Sequence, residues 1–223
     1  MNLKGLSYKT EWVDFPDIEA HCKRLGISST GKSLWDGSDL YTLPAIHDLS
    51  TGVVLADSIA IAKYLDATYA DTPQLFPDGT LGLQEAFTDA FQSSIQPIYP
   101  IIGIITLPQL YSPGAAYIRK TREQLFGMTF EELTPKGDKA VEEWGKFKNG
   151  FDKVDGWFAK TDNIGPYILG DVISWGDIVV ASIAIWLKLV FGEESQQWKE
   201  IALWHGGRWS SLLKDLDKYT ARH

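Results

Sequence analysis

The hydrophobic positions of the first 70 residues follow two different periods. Residues 8–15, YKTEWVDF, alternate between polar and apolar side chains, which is typical of a strand. Residues 17–26 favour a short helix that stops at Gly26. The runs YTLPAIHD and TGVVLA flank a polar turn and predict an antiparallel hairpin. Residues 58–69 return to helical spacing, so the order strand, helix, hairpin, helix predicts a small α/β domain over residues 1–70.

The pattern changes after that domain. Residues 71–80, DTPQLFPDGT, hold two prolines and a glycine without periodicity, so we expect a linker. Residues 81–223 carry helical patterns and predict an all-helical domain. The clearest pattern is at residues 138–160, where aromatic and aliphatic side chains recur every three or four positions.

Two features modify the helical pattern. Pro97, Pro100 and Pro108 should bend or end the helices in which they occur, because proline has no N–H to donate. Residues 174–191 are apolar on every side, so we expect this helix to be enclosed by its neighbours.

Composition and charge exclude two classes of partner. A net charge of −8 disfavours non-specific binding of nucleic acid, which needs clustered Lys and Arg, and it disfavours adhesion to anionic lipid. The longest apolar run, residues 177–191, is too short for an easy membrane span and contains Lys188. We therefore expect a protein that binds neither nucleic acid nor membranes.

A single cysteine, Cys22, rules out an intrachain disulfide framework. It lies in the helix predicted at residues 17–26, where a buried packing role is favoured over a nucleophilic one. The opening MNLKGLSYKTEW turns polar before an apolar stretch develops, so no secretory signal is expected and a cytoplasmic location is predicted. No metal site is expected, because His47, His205 and His223 are scattered without ligand spacing.

The predicted hairpin contains a proline in its first strand. Pro44 cannot donate to a sheet ladder, so it must lie at an edge, a bulge or a turn. A peptide bond before proline at such a place is one of the few that adopt the cis form. A cis Leu43–Pro44 bond would turn the N–H and C=O of Leu43 away from the sheet. Those two groups would then be free to bind an extended peptide.

Asp57 and Ser58 stand at the first turn of the helix that follows. The free N–H groups and the positive end of the helix dipole attract a carboxylate there, Ser58 adds a donor, and Asp57 would bind an ammonium group. Together with Leu43, these groups suit a small zwitterionic peptide. A purely structural interpretation stays open, because Asp or Ser before a helix is commonly only a cap and prolines are common at sheet edges.

The sequence TLPAI…ADSIAIAKYL resembles the glutathione-site motif of glutathione transferases. Residues 170–182, GDVISWGDIVVAS, are similar to a capping-box segment of that family, in which Ser174 and Asp177 satisfy each other's backbone. KGLSYKTEWVDFPDI, YIRKTRE and GGRW further resemble a fungal class related to bacterial lignin β-etherases. The resemblance covers nearly the whole chain. It implies an α/β thioredoxin-like N-terminal domain without its first strand, plus an all-α helical C-terminal domain.

The resemblance also implies roles for individual residues. Leu43, before the cis-proline Pro44, would bind the cysteinyl backbone of glutathione, and Asp57 with Ser58 would bind its γ-glutamyl end. Lys32 would meet the glycyl carboxylate, or it would simply be solvated. The resemblance also implies a second, hydrophobic substrate beside glutathione. Three aromatic residues are candidates for contact with it, and a core role is the alternative for each: Phe91, Tyr99 and Tyr117.

The resemblance does not identify a catalytic residue. The family begins with a strand and a loop carrying a Ser, Tyr or Cys that hydrogen-bonds the glutathione sulfur, whereas MNLKGL matches the end of the helix after that loop. Ser7 and Tyr8 lie past that helix and do not inherit the role. Because a thiol of ordinary pKa, about 8.5, is mostly protonated at neutral pH, a chain without this donor would activate glutathione poorly.

These observations lead to one expected function and two alternatives. The expected function is that of a cytoplasmic, homodimeric glutathione transferase in detoxification, with glutathione as co-substrate. Its thiolate would conjugate or cleave hydrophobic or aromatic molecules. The first alternative is a ligandin-type protein that binds glutathione and aromatic ligands without turnover. The second is a regulatory interaction module that has kept the fold and lost the site.

Overall fold

The computed structural model describes residues 1–161 and 164–220. The chain forms two compact units, each assembled from separate stretches of sequence. We call them the hairpin unit, Lys9–Pro73 with Leu107–Leu133, and the helical unit, Met1–Tyr8 with Gln74–Thr106 and Thr134–His223.

The elements alternate briefly between helix and strand and then become entirely helical. The order is α1 (Ile18–Arg24), β1 (Gly31–Lys32), β2 (Asp39–Leu40), β3 (Ala45–Asp48), β4 (Val53–Ala56), α2 (Ser58–Thr68), α3 (Leu81–Ile95), α4 (Tyr99–Thr106), α5 (Ser112–Phe126), α6 (Phe130–Leu133), α7 (Asp138–Phe158), α8 (Trp175–Phe191), α9 (Gln196–Leu203) and α10 (Arg208–Leu216).

The strands of the hairpin unit form two separate antiparallel pairs, β1 with β2 and β3 with β4. In the second pair, Ala45 lies opposite Ala56 and Asp48 lies opposite Val53. The turn between them contains Gly52, whose φ of 76° favours glycine. The predicted hairpin and the helices on either side of it are confirmed.

The strand predicted at residues 8–15 is wrong. Residues 8–14 are irregular, and no described segment forms a ladder with them. The alternation does not reflect burial along the whole segment, since Lys9 and Glu11 are exposed but so is Trp12, at 77%. A strand also needs a partner for its backbone groups, and the pattern of side chains contains no information about that partner.

The helical unit is built around aromatic and aliphatic side chains. The stripe predicted on α7 is confirmed, because Phe147, Phe151 and Val154 are fully buried. The rings of Phe151 and Trp209 lie 5.1 Å apart and nearly perpendicular, a geometry that aromatic pairs prefer. The burial of this stripe holds α7 against its neighbours and contributes Phe147, Phe151, Val154 and Phe158 to the core of the unit.

Two of the three prolines follow the end of a helix as predicted, and the third, Pro100, lies inside one. Helix α3 ends at Ile95, and the 3-10 turn Gln96–Ile98 that follows contains Pro97. Pro100 occupies the first turn of α4, where its missing N–H would have had no partner inside the helix. Pro108 lies in the 3-10 turn directly after α4.

Helix α8 is less enclosed than its composition predicts. Val180, Ala184 and Leu187 are buried, but Ser182 is exposed and Leu189 is 62% exposed. When nearly every position is apolar, periodicity cannot indicate which face is open, and the expectation of full enclosure was wrong for this reason. In the described ranges, no helix has both the length and the hydropathy that a membrane span requires.

The capping box predicted at the start of α8 is confirmed. The N–H and the hydroxyl of Ser174 both donate to Oδ2 of Asp177 at 2.8 Å. The other oxygen of Asp177, Oδ1, accepts the N–H of Ile168 at 2.7 Å. Ser174 and Asp177 are fully buried. Because burial disfavours the charged carboxylate, the pKa of Asp177 is raised to about 6.

We expect this carboxyl group to make stability depend on pH below about 6. The folded state binds the Asp177 proton more tightly than the unfolded chain, so the group favours folding below its ordinary pKa of 3.8. That contribution is lost as pH rises through the folded pKa of about 6, and it amounts to about 3 kcal/mol.

Denaturant unfolding of the wild type and of Asp177→Asn, at several pH values across this window, measures the effect. The free energy of unfolding of the wild type should fall with rising pH relative to that of the variant. Parallel curves for the two proteins would show that the pKa of Asp177 is not raised.

Two helices lie outside the sequence predictions. Helix α6 is a single turn, too short for periodicity. Helix α9 starts after Ser195, whose Oγ accepts the N–H of Trp198 at 3.1 Å, and a serine cap is a signal that could have identified it.

Both α5 and α6 belong to the hairpin unit, so the compact units do not follow chain order. The domain boundaries at residues 70 and 80 stay a prediction.

Candidate functional site

Backbone groups are uncovered just before strand β3. The Leu43–Pro44 peptide bond is cis, as predicted. Among the described residues, neither the N–H nor the C=O of Leu43 has a hydrogen-bond partner, and the residue is 40% exposed. Pro44 is also exposed, and the ladder of the hairpin begins only at Ala45. An extended peptide can therefore pair with Leu43 as an added strand does.

Asp57 connects β4 to α2 in a conformation that residues other than glycine rarely adopt. Its φ is 79° and its ψ is 122°. Its Oδ1 accepts the N–H groups of Ile59 at 3.1 Å and Ala60 at 2.9 Å, so the capping interpretation is correct for this oxygen. Within the described chain, Oδ2 has no such partner. Strained backbone of this kind costs about 1–3 kcal/mol and is concentrated at functional sites.

Ser58 is the first residue of α2 and is exposed. Its hydroxyl makes no hydrogen bond to any residue in the described ranges. Its N–H is one of the first four of the helix, which have no acceptor within the helix. A carboxylate placed here would accept from both groups and would lie at the positive end of the helix dipole.

The register of the hairpin brings these groups to one end of it. Since Ala45 pairs with Ala56, the residues just before β3 and just after β4 follow the same last rung. The peptide groups of Leu43, the second oxygen of Asp57 and the hydroxyl of Ser58 all lie within two residues of that rung. The arrangement offers partners for a peptide backbone, an ammonium group and a carboxylate.

Lys32 lies on β1 of the neighbouring strand pair. Its Nζ is 2.6 Å from Oδ1 of Asp39, and the lysine side chain is 70% exposed. This hydrogen bond and charge hold the pKa of Asp39 below its ordinary value. An exposed ion pair contributes at most about 1 kcal/mol, so an anionic ligand can compete for the lysine. The role of Lys32 at a glycyl carboxylate stays a prediction.

The three aromatic candidates for a substrate wall have different environments. Phe91 has no exposed surface and packs edge-on to Phe151 at 6.3 Å, so the core interpretation is the correct one for it. Tyr99 is 37% exposed, and burial of its other part raises its pKa. Tyr117 is half-buried on α5 in the hairpin unit. For these two tyrosines, contact with a hydrophobic substrate stays a prediction.

Cys22 is fully buried in α1, which confirms its interpretation as a packing residue. Burial raises the pKa of its thiol, so it is protonated and unreactive at neutral pH. No three metal-ligating side chains cluster within residues 1–161 and 164–220. His205 is bound to Asp152 at 2.7 Å, and His223 lies outside the described residues.

The helical unit contains a cavity of about 380 Å³. Apolar side chains from α8 and α10 dominate its lining, among them Ile178, Ile185 and Leu213. Ser182, one of the exposed residues of α8, also lines it. Its described lining includes none of the residues predicted for glutathione or for a second substrate.

Two models of protein families match the sequence. The model of the glutathione S-transferase N-terminal domain matches residues 1–68, and the model of the C-terminal domain matches residues 82–219. Together the two matches cover nearly the whole sequence. The chain belongs to the glutathione S-transferase family.

Similar proteins come from fungi, and two of them are solved structures. The glutathione S-transferase CsGST63524 of Ceriporiopsis subvermispora, solved in complex with glutathione, is 38% identical with a TM-score of 0.94, over 100% of this chain and 88% of that one. Glutathione transferase GSTFuA3 of Phanerochaete chrysosporium is 39% identical with a TM-score of 0.91, over 100% of this chain and 87% of that one. The glutathione S-transferase-like protein ustS of Aspergillus flavus is 27% identical over 92% of this chain and 79% of that protein. The expected fold, a small α/β N-terminal domain with a helical C-terminal domain, is confirmed.

Proposed function

We propose that the chain binds glutathione at the open end of the β3–β4 hairpin and uses it as a co-substrate. The observation that carries the proposal is the strained backbone of Asp57, which keeps one carboxylate oxygen unbonded directly before the free hydroxyl of Ser58. The similar fungal protein CsGST63524 was solved in complex with glutathione, which supports the choice of ligand.

Each polar part of glutathione has a complementary group in this arrangement. The cysteinyl backbone pairs with the N–H and C=O of Leu43, which the cis bond to Pro44 leaves outside the ladder. The γ-glutamyl carboxylate accepts from the N–H and hydroxyl of Ser58, and its ammonium group contacts Oδ2 of Asp57. Lys32 attracts the glycyl carboxylate.

The proposed reaction is nucleophilic transfer. The glutathione thiol loses its proton to solvent, the thiolate forms a bond to an electrophilic carbon of a hydrophobic or aromatic molecule, and the leaving group departs with the electron pair of the bond that breaks. In an aryl ether the C–O bond breaks and the oxygen leaves as an alkoxide or phenolate, which takes up a proton. Contact of the Tyr99 or the Tyr117 ring with such a molecule is part of the proposal.

Two measurements test the proposal. Calorimetric titration of the wild type with glutathione should show binding, and its absence would reject the site. An assay with a model electrophile should show glutathione-dependent conjugation. Binding without turnover would instead identify a ligandin-type protein that carries glutathione and aromatic ligands.

We expect Ser58→Ala to weaken glutathione binding by about 1–2 kcal/mol, the size of one lost hydrogen bond to a charged group. Ser93→Ala is the matched control, since Ser93 is exposed on α3 and its hydroxyl donates only to the carbonyl of Asp89. Calorimetry on both variants makes the comparison. An unchanged affinity in Ser58→Ala would remove this residue from the site.

The biological setting of the proposal comes from likeness to the family. Detoxification of hydrophobic electrophiles in the cytoplasm, by a homodimer, is the setting that the family suggests. Light scattering measures the number of chains in the particle, and a mass equal to one chain would reject the homodimer.

A further inference from the structure

A group of hydrogen bonds ties the later part of α2 to the turn of the hairpin. Oδ2 of Asp48, at the end of β3, accepts the hydroxyls of Tyr64 and Tyr69, each at 2.6 Å. Oδ1 of the same carboxylate accepts the N–H of Ser50 at 2.9 Å and its hydroxyl at 2.7 Å. We call the three residues Asp48, Tyr64 and Tyr69 the tyrosine clamp.

The clamp is a strong connection for a partly exposed site. All three side chains are half-buried, and both oxygens of the carboxylate are fully used as acceptors. Hydrogen bonds to an ionised acceptor are shorter and stronger than those between neutral groups. The hydroxyls of Tyr64 and Tyr69 hold the pKa of Asp48 well below its ordinary value, so the carboxylate is ionised at neutral pH.

The clamp lies at the opposite end of the hairpin from the proposed glutathione groups. Asp48 pairs with Val53 beside the turn, whereas Ala45 pairs with Ala56 at the open end. The clamp is three residues along β3, about 10 Å, from the end that carries the proposed glutathione groups. Any influence of the clamp on a ligand held there acts through the elements that join the two ends, which are α2 and the strands of the hairpin.

Helix α2 is thus held at both of its ends. At its start, Asp57 alone connects it to β4, with a φ of 79°. At its far end, Tyr69 follows the last helical residue and belongs to the clamp. A strained backbone persists only where the surrounding structure leaves it no relief. The middle of α2 is held by the packing of Ile61, Ala62 and Leu65, and the clamp adds the restraint at the far end that limits rotation of the helix.

We propose that the tyrosine clamp is a positioning device, which holds the first turn of α2 so that Asp57 and Ser58 present their polar groups to glutathione. Asp48, Tyr64 and Tyr69 touch no ligand and act through the helix. The part of this inference that concerns affinity rests on the proposed function. The part that concerns the first turn of α2 does not.

The double variant Tyr64→Phe/Tyr69→Phe removes the two hydroxyls and keeps both rings. Tyr111→Phe is the matched control, because Tyr111 is 84% exposed and its hydroxyl bonds to no described residue. The first measurement is hydrogen exchange at the amides of Ile59 and Ala60, which Oδ1 of Asp57 holds. In the double variant we expect the exchange rates of these two amides to rise by about tenfold more than the rates of amides that exchange only by global unfolding. We expect no rise in the control.

The second measurement is the dissociation constant of glutathione at a temperature where both proteins are fully folded. We expect the double variant to bind about tenfold more weakly than the control. The effect should be much smaller in a Ser58→Ala background, because the clamp acts through the turn that holds Ser58. If the double variant does not fold, Tyr69→Phe alone serves as the milder change with the same expected directions.

The outcomes separate this inference from the proposed function. Unchanged exchange at Ile59 and Ala60, or exchange raised equally over the whole hairpin unit, would overturn the positioning role whether or not glutathione binds. Locally raised exchange with an unchanged dissociation constant would overturn the link to the site. A wild type that binds no glutathione, with locally raised exchange in the variant, would reject the proposed function and leave the structural role of the clamp supported.

Discussion

Replacement of Phe91 by alanine is expected to lower the free energy of unfolding by about 3–5 kcal/mol. Phe91 has no exposed surface, and its ring stacks on Phe87 at 6.3 Å and packs edge-on to Phe151 at the same distance. Truncation removes apolar area that the fold had buried and leaves a cavity that close-packed neighbours fill only in part. Denaturant unfolding followed by tryptophan fluorescence measures the loss.

Leu83→Ala is the matched control for Phe91→Ala. Leu83 lies on the same helix, α3, and is 75% exposed, so its truncation should change stability by no more than about 0.5 kcal/mol. The comparison also decides between two roles for Phe91. A residue of a substrate wall would change the Michaelis constant for an apolar substrate with little effect on stability, and that result would contradict the core interpretation.

Gly150→Ala is expected to lower the free energy of unfolding by about 3 kcal/mol. A Cβ at this position on α7 would overlap the backbone carbonyl of Ser94 on α3. Backbone atoms cannot change rotamer, so the overlap is relieved only if the two helices move apart. Such a movement loosens the packing around Phe147 and Phe151 on the same helix.

Gly145→Ala gives a control on the same helix. A Cβ at Gly145 would meet nothing within contact distance, so only the helix propensity changes. Alanine restricts the unfolded chain more than glycine does, and we expect stability to rise by about 0.5–1 kcal/mol. Thermal unfolding of both variants provides the test, and a Gly150→Ala protein as stable as the wild type would show that α3 and α7 do not approach this closely.

Local pattern was sufficient for most of the elements. The hairpin, α2 and the stripe of α7 follow from turn residues and apolar spacing, which are properties of neighbouring residues. The strand expected at residues 8–15 failed because a strand depends on a partner segment, which can lie anywhere in the chain. The expectation that α8 is fully enclosed was wrong for a different reason, since an all-apolar sequence does not indicate which face of the helix another element covers.

The candidate site was predictable to a similar degree. Pro44 indicated a cis bond because proline is the residue that tolerates one, and Asp57 with Ser58 indicated a helix start. The left-handed φ of Asp57 had no signal in the sequence, since aspartate adopts it only when its surroundings require it. The tyrosine clamp had no signal in the sequence either, because Tyr64 and Tyr69 lie 16 and 21 positions after Asp48.

Most of the helices, the hairpin, the proline that interrupts its first strand and the polar pair that opens α2 could be predicted from the amino-acid sequence alone. These features depend on short-range sterics and on spacing, which a linear sequence specifies completely. The folded molecule was needed to show that Phe91 is core, that one oxygen of Asp57 remains unbonded beside the unbonded hydroxyl of Ser58, and that two tyrosines hold the far end of that helix. Burial and strain are properties of a packed neighbourhood, and the residues that form it come together only when the chain folds.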